Sequence, residues 1–183
     1  MHVLVVSGPY QLRPVRSVPD CVSAYAPDWT GCPHRYGQRQ AGIPPMVNTF
    51  VTSADLQECV KSLRWKHLGK QRVEAYQIWR VLHGLTKGWR RHPAVLMWEG
   101  YTCFLAKYCN ACIDEWILRG YKNTMQKLPC CKNPAAPWWW GLDSVIKSHQ
   151  ASLNRKMPDF YHFDVRQEDF PGYIWPTKIS RSS

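Results

Sequence analysis

The sequence predicts an all-α fold: a single compact helical domain with long central helices and an irregular, aromatic C-terminal tail. Three observations predict it. Apolar residues recur at helical spacing from Trp65 to Leu82, where Leu68, Ala75, Trp79 and Leu82 fall on one stripe. A second, longer run from about Ala94 to Arg119 carries Trp98, Tyr101, Leu105, Tyr108, Cys112 and Trp116 at steps of three and four. Both runs end next to a glycine, Gly84 and Gly120, the residue that most readily takes the left-handed backbone of a helix stop.

Taken in order, residues 1–45 differ from the rest. They hold no lysine, five prolines before the closing Pro44-Pro45, and no sustained period, so an N-terminal extension that is poorly structured or artefactual is expected. His2–Val6 suits one short strand and is too short and too lightly flanked by charge for a signal peptide. Arg13, Arg16, Arg35 and Arg39 suit a transit peptide; Asp20 and Asp28 argue against one. The segment equally fits a translated upstream region that the working protein lacks. From Met46 the pattern becomes regular, and the helical domain is expected over residues 46–179, with 180–183 a tail. Ser53 is expected to cap a short helix, with Asp55 in its first turn and Leu56, Val60 and Leu63 turned inward. Gly69 bends into, or begins, the central helix. Thr86–Pro93 is a basic connector whose proline opens the next helix. Tyr121–Trp140 reads as loop. Asp143 is expected to cap a last helix running through Lys156 and ended by Pro158, and the aromatic residues from Asp159 to Pro176 are expected to wrap the core.

Net charge is +11 with a pI near 9.4, and the excess is interspersed with 10 Trp, 9 Tyr and 5 Phe. Residues 1–45 contribute only +2 of it, leaving +9 from Met46 onward. Basic groups mixed with aromatic rings favour a polyanion whose bases can be stacked on, as against a merely basic protein. No basic amphipathic helix or hydrophobic span appears, so no membrane partner is expected. The eight cysteines, at 21, 32, 59, 103, 109, 112, 130 and 131, lack the short loop-rich frame of a secreted disulfide scaffold. They are expected to be reduced, in an intracellular compartment such as cytoplasm, nucleoid or nucleus. Cys109 and Cys112 have the spacing of a metal pair but sit on one face of the long helical run, and core packing is expected rather than zinc. The adjacent Cys130-Cys131 suits neither zinc nor an easy disulfide.

The central helix carries polar groups that its apolar stripe does not explain. Arg72 lies on that stripe, so it must find an acceptor inside the protein or look out at an anionic partner. His67, Lys70 and Glu74 share a different flank, beside Ile78 and Val81; Lys70 and Glu74 also fit an ordinary surface ion pair. The stretch His67-Leu68-Gly69-Lys70-Gln71-Arg72-Val73-Glu74 resembles the signature of the pyrimidine-dimer DNA glycosylase family of endonuclease V type. Two later blocks agree: His92–Tyr101, and Ser148–Lys156 closing with Gly172-Tyr173-Ile174-Trp175-Pro176. The resemblance covers Met46 to about Ile179. It departs from the family pattern in the last helix, where Gln150, Asn154 and Met157 stand for arginine, leucine and aspartate.

A bifunctional glycosylase needs an amine that is partly neutral near pH 7 to attack the sugar carbon, and a carboxyl group to manage protons there. A terminal α-amine, with an ordinary pKa of about 7.7–8.0, supplies that neutral form far better than a lysine near 10.4. The resemblance implies that Glu74 is the catalytic carboxyl and that the amine belongs to Val47 in a chain trimmed after Met46. In the sequence as given Val47 is internal, and Lys70, one turn from Glu74, is the substitute. The DNA-binding candidates are Arg72, as a phosphate or sugar clamp, and His92 and His149, together with Arg90, Arg91, Lys147, Arg155 and Lys156 as phosphate contacts. A buried structural Arg72, satisfied core or surface histidines and a solvated basic face are the plainer alternatives. The Trp138-Trp139-Trp140 run fits a wedge into kinked DNA, or core packing for at least two of the three.

The expected function is therefore repair of pyrimidine dimers or related base damage in double-stranded DNA by a glycosylase with abasic-site lyase activity. It would work as a monomer without metal or cofactor. The alternative is a non-catalytic DNA-binding or structural protein on the same scaffold; a weaker third is a different base-modifying enzyme on it.

Overall fold

A computed structural model describes residues 47–177, all within one compact unit that spans Ile43–Ser183. The expected strand at His2–Val6, the thiols of Cys21 and Cys32, and the proposed boundaries at residues 45 and 179 lie outside the described residues. Among the described residues every regular element is helical: α1 (Leu56–Lys61), α2 (Trp65–Leu82), α3 (Pro93–Leu96), α4 (Thr102–Leu118) and α5 (Asp143–Lys156), with one 3-10 turn at Gln167–Asp169. No described helix is long and apolar enough to cross a membrane.

The central pair is α2 on α4. Leu68, Ala75 and Ile78 of α2 meet Leu105, Tyr108 and Cys112 of α4, all six without measurable exposure. The buried face of α2 is rotated from the expected stripe. It runs through Leu68, Gln71, Glu74, Ala75, Ile78 and Val81, while Trp79 and Leu82 lie at its margin, partly buried. Gly69 is inside α2 rather than at its start. A Cβ there would stand 2.8 Å from Cζ3 of Trp116, so the glycine lets the indole of α4 slide beneath the helix.

Three further expectations are corrected. The cap of α1 is Asp55, whose carboxylate accepts the Glu58 N–H at 2.8 Å, whereas the Ser53 hydroxyl accepts the Asp55 N–H. The run 94–119 is two helices, because Gly100 at φ 83° breaks the chain between α3 and α4; His92, with Pro93 at the first helical position, caps α3. Asp143 is the first residue of α5 rather than its cap, and pairs with Lys147 at 2.7 Å. Gly120 ends α4 at φ 81°, as expected.

The cysteines also differ from expectation. Cys103 and Cys131 form a disulfide that ties the 121–140 loop to the start of α4, 28 residues away in sequence. Adjacency to Cys130 is no obstacle, since the partner lies on another element. Cys59, Cys109, Cys112 and Cys130 are free, and Cys109 and Cys112 are packed in the core. Two members of the tryptophan run are also held by the core: Trp139 is fully buried and donates to the Met97 carbonyl, and Trp140 donates to the Ala54 carbonyl. Trp138 is half exposed.

Candidate active site

The site is built around a segment with no regular structure. Residues Val47–Val51 are buried and, lacking a strand partner, have their backbone polar groups satisfied by side chains. Gln71 of α2 accepts the Phe50 N–H at 2.8 Å and donates to the Asn48 carbonyl at 3.1 Å. The Tyr108 hydroxyl of α4 reaches both the Phe50 carbonyl and Gln71 Oε1. His149 of α5 accepts the Val51 N–H at 3.1 Å, and Gln150 donates to the Thr52 carbonyl at 2.8 Å. The tail closes the other side: Trp175 Nε1 donates to Asn48 Oδ1 at 2.9 Å, and Tyr173 lies against Phe50 and His149. Three helices and the tail thus hold the stretch that begins at Val47.

Glu74 stands over the start of this stretch. Its residue exposure is 6%, and Gln71, already bonded to the Asn48 carbonyl, donates its Nε2 to Glu74 Oε2 at 3.1 Å. Lys70 Nζ is 3.3 Å from Oε1, with the lysine side chain itself mostly exposed. Burial pushes the Glu74 carboxyl up to about 7, against the opposing pull of Lys70, Lys156 and the Asn48 backbone N–H. A carboxyl group balanced between its two forms near neutral pH, next to the backbone of Asn48, can both take and give a proton.

Lys156 belongs to this site more closely than a phosphate contact would. The residue is exposed, but its ammonium lies over the Phe50 and Tyr173 rings, at 5.5 and 5.3 Å from their centroids. Desolvation lowers its pKa, and the field of Glu74 works the other way. His67 stacks on Tyr161 and bonds its hydroxyl at 2.7 Å; burial first, and then Lys156, Lys70 and Arg64, lower its pKa.

The remaining sequence candidates are not gathered here. Arg72 points away from Glu74, lies 4.2 Å over the Trp116 ring and donates to Asn123 Oδ1 at 2.9 Å, so its charge is met by an aromatic face and an amide instead of a carboxylate. Desolvation lowers its pKa. His149, expected among the DNA contacts, is fully buried; its pKa is lowered to about 4 by burial, and its Nδ1 is committed to Val51. No surface is left on it for a phosphate. His92 uses Nδ1 to cap α3 and packs edge-on against Trp175, and burial lowers its pKa. Arg90 and Arg91 are exposed on the connector, and Arg155, also exposed, gives one N–H to the Gln167 carbonyl and one to Ser152, which leaves other guanidinium donors for a partner. The three departures in the last helix have found contacts of their own. Gln150 holds Thr52, Asn154 bonds both backbone groups of Phe163, and Met157 lies under Arg64.

Sequence reasoning missed Asn48, Gln71, Tyr108 and Tyr173. Gln71 and Tyr173 lie inside quoted motifs, so a signal existed, but no periodicity says that they meet Asn48. Among the described residues no three His, Cys, Asp or Glu side chains gather as a metal site. Residues 47–129 match the family model described as pyrimidine dimer DNA glycosylase. No curated protein and no solved structure matches the chain.

Proposed function

We propose that this chain, whose residues 47–129 match the model of the pyrimidine dimer DNA glycosylase family, removes a damaged pyrimidine from double-stranded DNA and then cleaves the strand at the abasic sugar. The observation that carries the proposal is the position of Glu74: a buried carboxyl group over Asn48, one residue from Val47, and 3.3 Å from the Lys70 amine. In a chain beginning at Val47, the terminal nitrogen attacks the deoxyribose C1′ and the C1′–N1 bond breaks with its electron pair going to the base. Glu74 carries the first proton the nitrogen sheds to the departing base and the second to the ring oxygen as the C1′–O4′ bond opens, and the resulting imine allows elimination of the 3′ phosphate. Lys70 is the alternative nucleophile in the untrimmed chain. Lys156, Arg90, Arg91 and Arg155 supply the phosphate contacts, and Arg72, His92 and His149 serve by holding the scaffold.

A second reading keeps one specific observation in its favour. Val47 is internal in the full sequence, so its nitrogen is there an amide and no nucleophile; an untrimmed chain would bind damaged DNA without cutting it unless Lys70 acts. Borohydride trapping on duplex DNA with a pyrimidine dimer or an abasic site, run on the full chain and on a chain starting at Val47, separates the two. The expected result is a covalent adduct with the trimmed chain, and its loss of base release on Glu74→Gln with binding retained. No adduct and no cleavage from either length would refute the lyase assignment.

A further inference from the structure

Two hydrogen-bonding groups beside Glu74 have no use in the fold. Asn48 is 5% exposed, and its Oδ1 is occupied by Trp175, which fixes the amide so that Nδ2 points elsewhere; that Nδ2 has no partner. The Tyr173 hydroxyl is likewise buried and unpartnered. The two side chains stand within hydrogen-bonding reach of each other, and that contact opposes the upward pull of burial on the phenol, whose pKa is pushed up to about 12, yet neither atom completes a bond, and the second amide N–H and the phenol proton are left to donate. Glu74 and Lys70 act on the phenol, and Lys156 lies over its ring. Leaving a buried donor unmade costs about 1–3 kcal/mol, so two such donors side by side mark a place for an acceptor.

The chemistry of that acceptor follows from what surrounds it. An exposed ammonium suits a phosphate, and Lys70 already provides one, its side chain being mostly exposed. Neutral donors held out of water suit an acceptor that is neutral when bound and gains charge during reaction, because a preorganised dipole is worth most where charge develops. We propose that Asn48 Nδ2 and the Tyr173 hydroxyl together bind the carbonyl oxygen next to the glycosidic nitrogen of the departing pyrimidine, and hold it as the base leaves. The inference rests on the glycosylase reading above. When the C1′–N1 bond breaks, its electron pair enters the pyrimidine ring and spreads onto that oxygen. The enzyme amine makes the new bond to C1′, and the proton it sheds passes through Glu74 to the departing base.

This division of labour separates two steps that the same protein performs. Base release has a leaving pyrimidine; cleavage at a preformed abasic site has none. Single-turnover rates of both are to be measured for wild type, Tyr173→Phe and Asn48→Ala, on whichever chain length forms the borohydride adduct. Tyr173→Phe keeps the ring under Lys156 and removes only the hydroxyl, so it stays informative if Asn48→Ala unfolds on losing its bond to Trp175. The expected result is base release slowed about 10- to 100-fold in each variant, with cleavage at the abasic site slowed less than about threefold. Equal slowing of both steps, or no slowing of either, would overturn the assignment. Inactivity of the wild type on both substrates would instead refute the underlying glycosylase reading.

Discussion

Replacing Glu74 by glutamine should change how stability depends on pH, by an amount the burial of the carboxyl group sets. In the folded protein that group titrates at about 7, against 4.5 for an ordinary glutamate. The folded state therefore holds its proton longer than the unfolded chain, so stability is greatest below pH 4.5, falls as pH rises towards 7, and then levels off. A shift of that size corresponds to about 3 kcal/mol in full, of which roughly 2.5 kcal/mol develops between pH 5 and pH 8. Glutamine keeps an acceptor for Gln71 Nε2 and has no charge to bury. The variant should therefore gain roughly 2–3 kcal/mol on the wild type between pH 5 and pH 8, worth about 5–10 °C in Tm at this size. Urea unfolding of both proteins at four pH values measures the difference directly. His149 works in the opposite sense: neutral in the fold down to about pH 4, it favours unfolding as pH falls below its ordinary 6.5. It is present in both proteins and cancels from the difference. Stability curves that run parallel from pH 5 to pH 8, within about 0.5 kcal/mol, would refute the claim that burial controls this carboxyl group. A chain that begins at Val47 adds a further check, because an ammonium next to Glu74 stabilises the carboxylate and should shrink the pH-dependent gap.

Three other expectations follow from the packing. Gly69→Ala gains up to about 1 kcal/mol of helix propensity but drives its Cβ to 2.8 Å from the Trp116 ring, so a net loss of about 1–2 kcal/mol is expected by thermal unfolding, and a stabilised variant would show that the indole is free to move. Removing the exposed Arg90 and Arg91 together should reduce the slope of log K against log salt for duplex DNA by nearly 2, whereas Arg72→Ala should leave that slope unchanged and lower stability through the lost stack on Trp116. His149→Phe leaves the Val51 N–H without an acceptor and should cost about 1–3 kcal/mol in urea unfolding at pH 7, while abolishing the part of the acid-side decline that comes from this imidazole.

The parts of this protein that were legible in its sequence are those decided within one helix. Trp65–Leu82 could be read from its own spacing, and Gly120 from its place after the last periodic residue. The stripe was misplaced by part of a turn because hydropathy counts Gln71 and Glu74 as outward residues, yet both are buried against the 47–51 segment, which spacing along α2 cannot reveal. For Arg72 the spacing leaves two outcomes open, an acceptor inside the protein or an anion outside, and the fold supplies the first through Asn123 together with the Trp116 ring, 44 positions away on another helix. The break at Gly100 is hidden by a seam that stays in register across it, Trp98 on one side and Tyr101 and Leu105 on the other.

The segment from Val47 to Thr52 was least legible of all, and it matters most. An extended stretch without a neighbouring strand has no periodic pairing to betray it, and its partners come from Cys59, Gln71, Tyr108, His149 and Gln150, spread across four helices. Such side-chain support is an expensive way to hold a backbone, since every partner is a polar group that must be buried and satisfied. A loop tethered by ordinary turns would keep its end mobile by comparison. Here Gln71 bonds at once to the Asn48 carbonyl, the Phe50 N–H and Glu74 Oε2, so the backbone at the start of the segment and the carboxyl group are fixed by one amide. Rigid placement of the backbone beside Val47 against a titrating carboxyl group has no evident use in stability, because burying Glu74 works against folding above pH 4.5. On the proposed glycosylase reading it is intelligible as preorganisation of a nucleophile and its proton carrier, which is the reason to look for the reactive nitrogen at residue 47 before looking for it at Lys70.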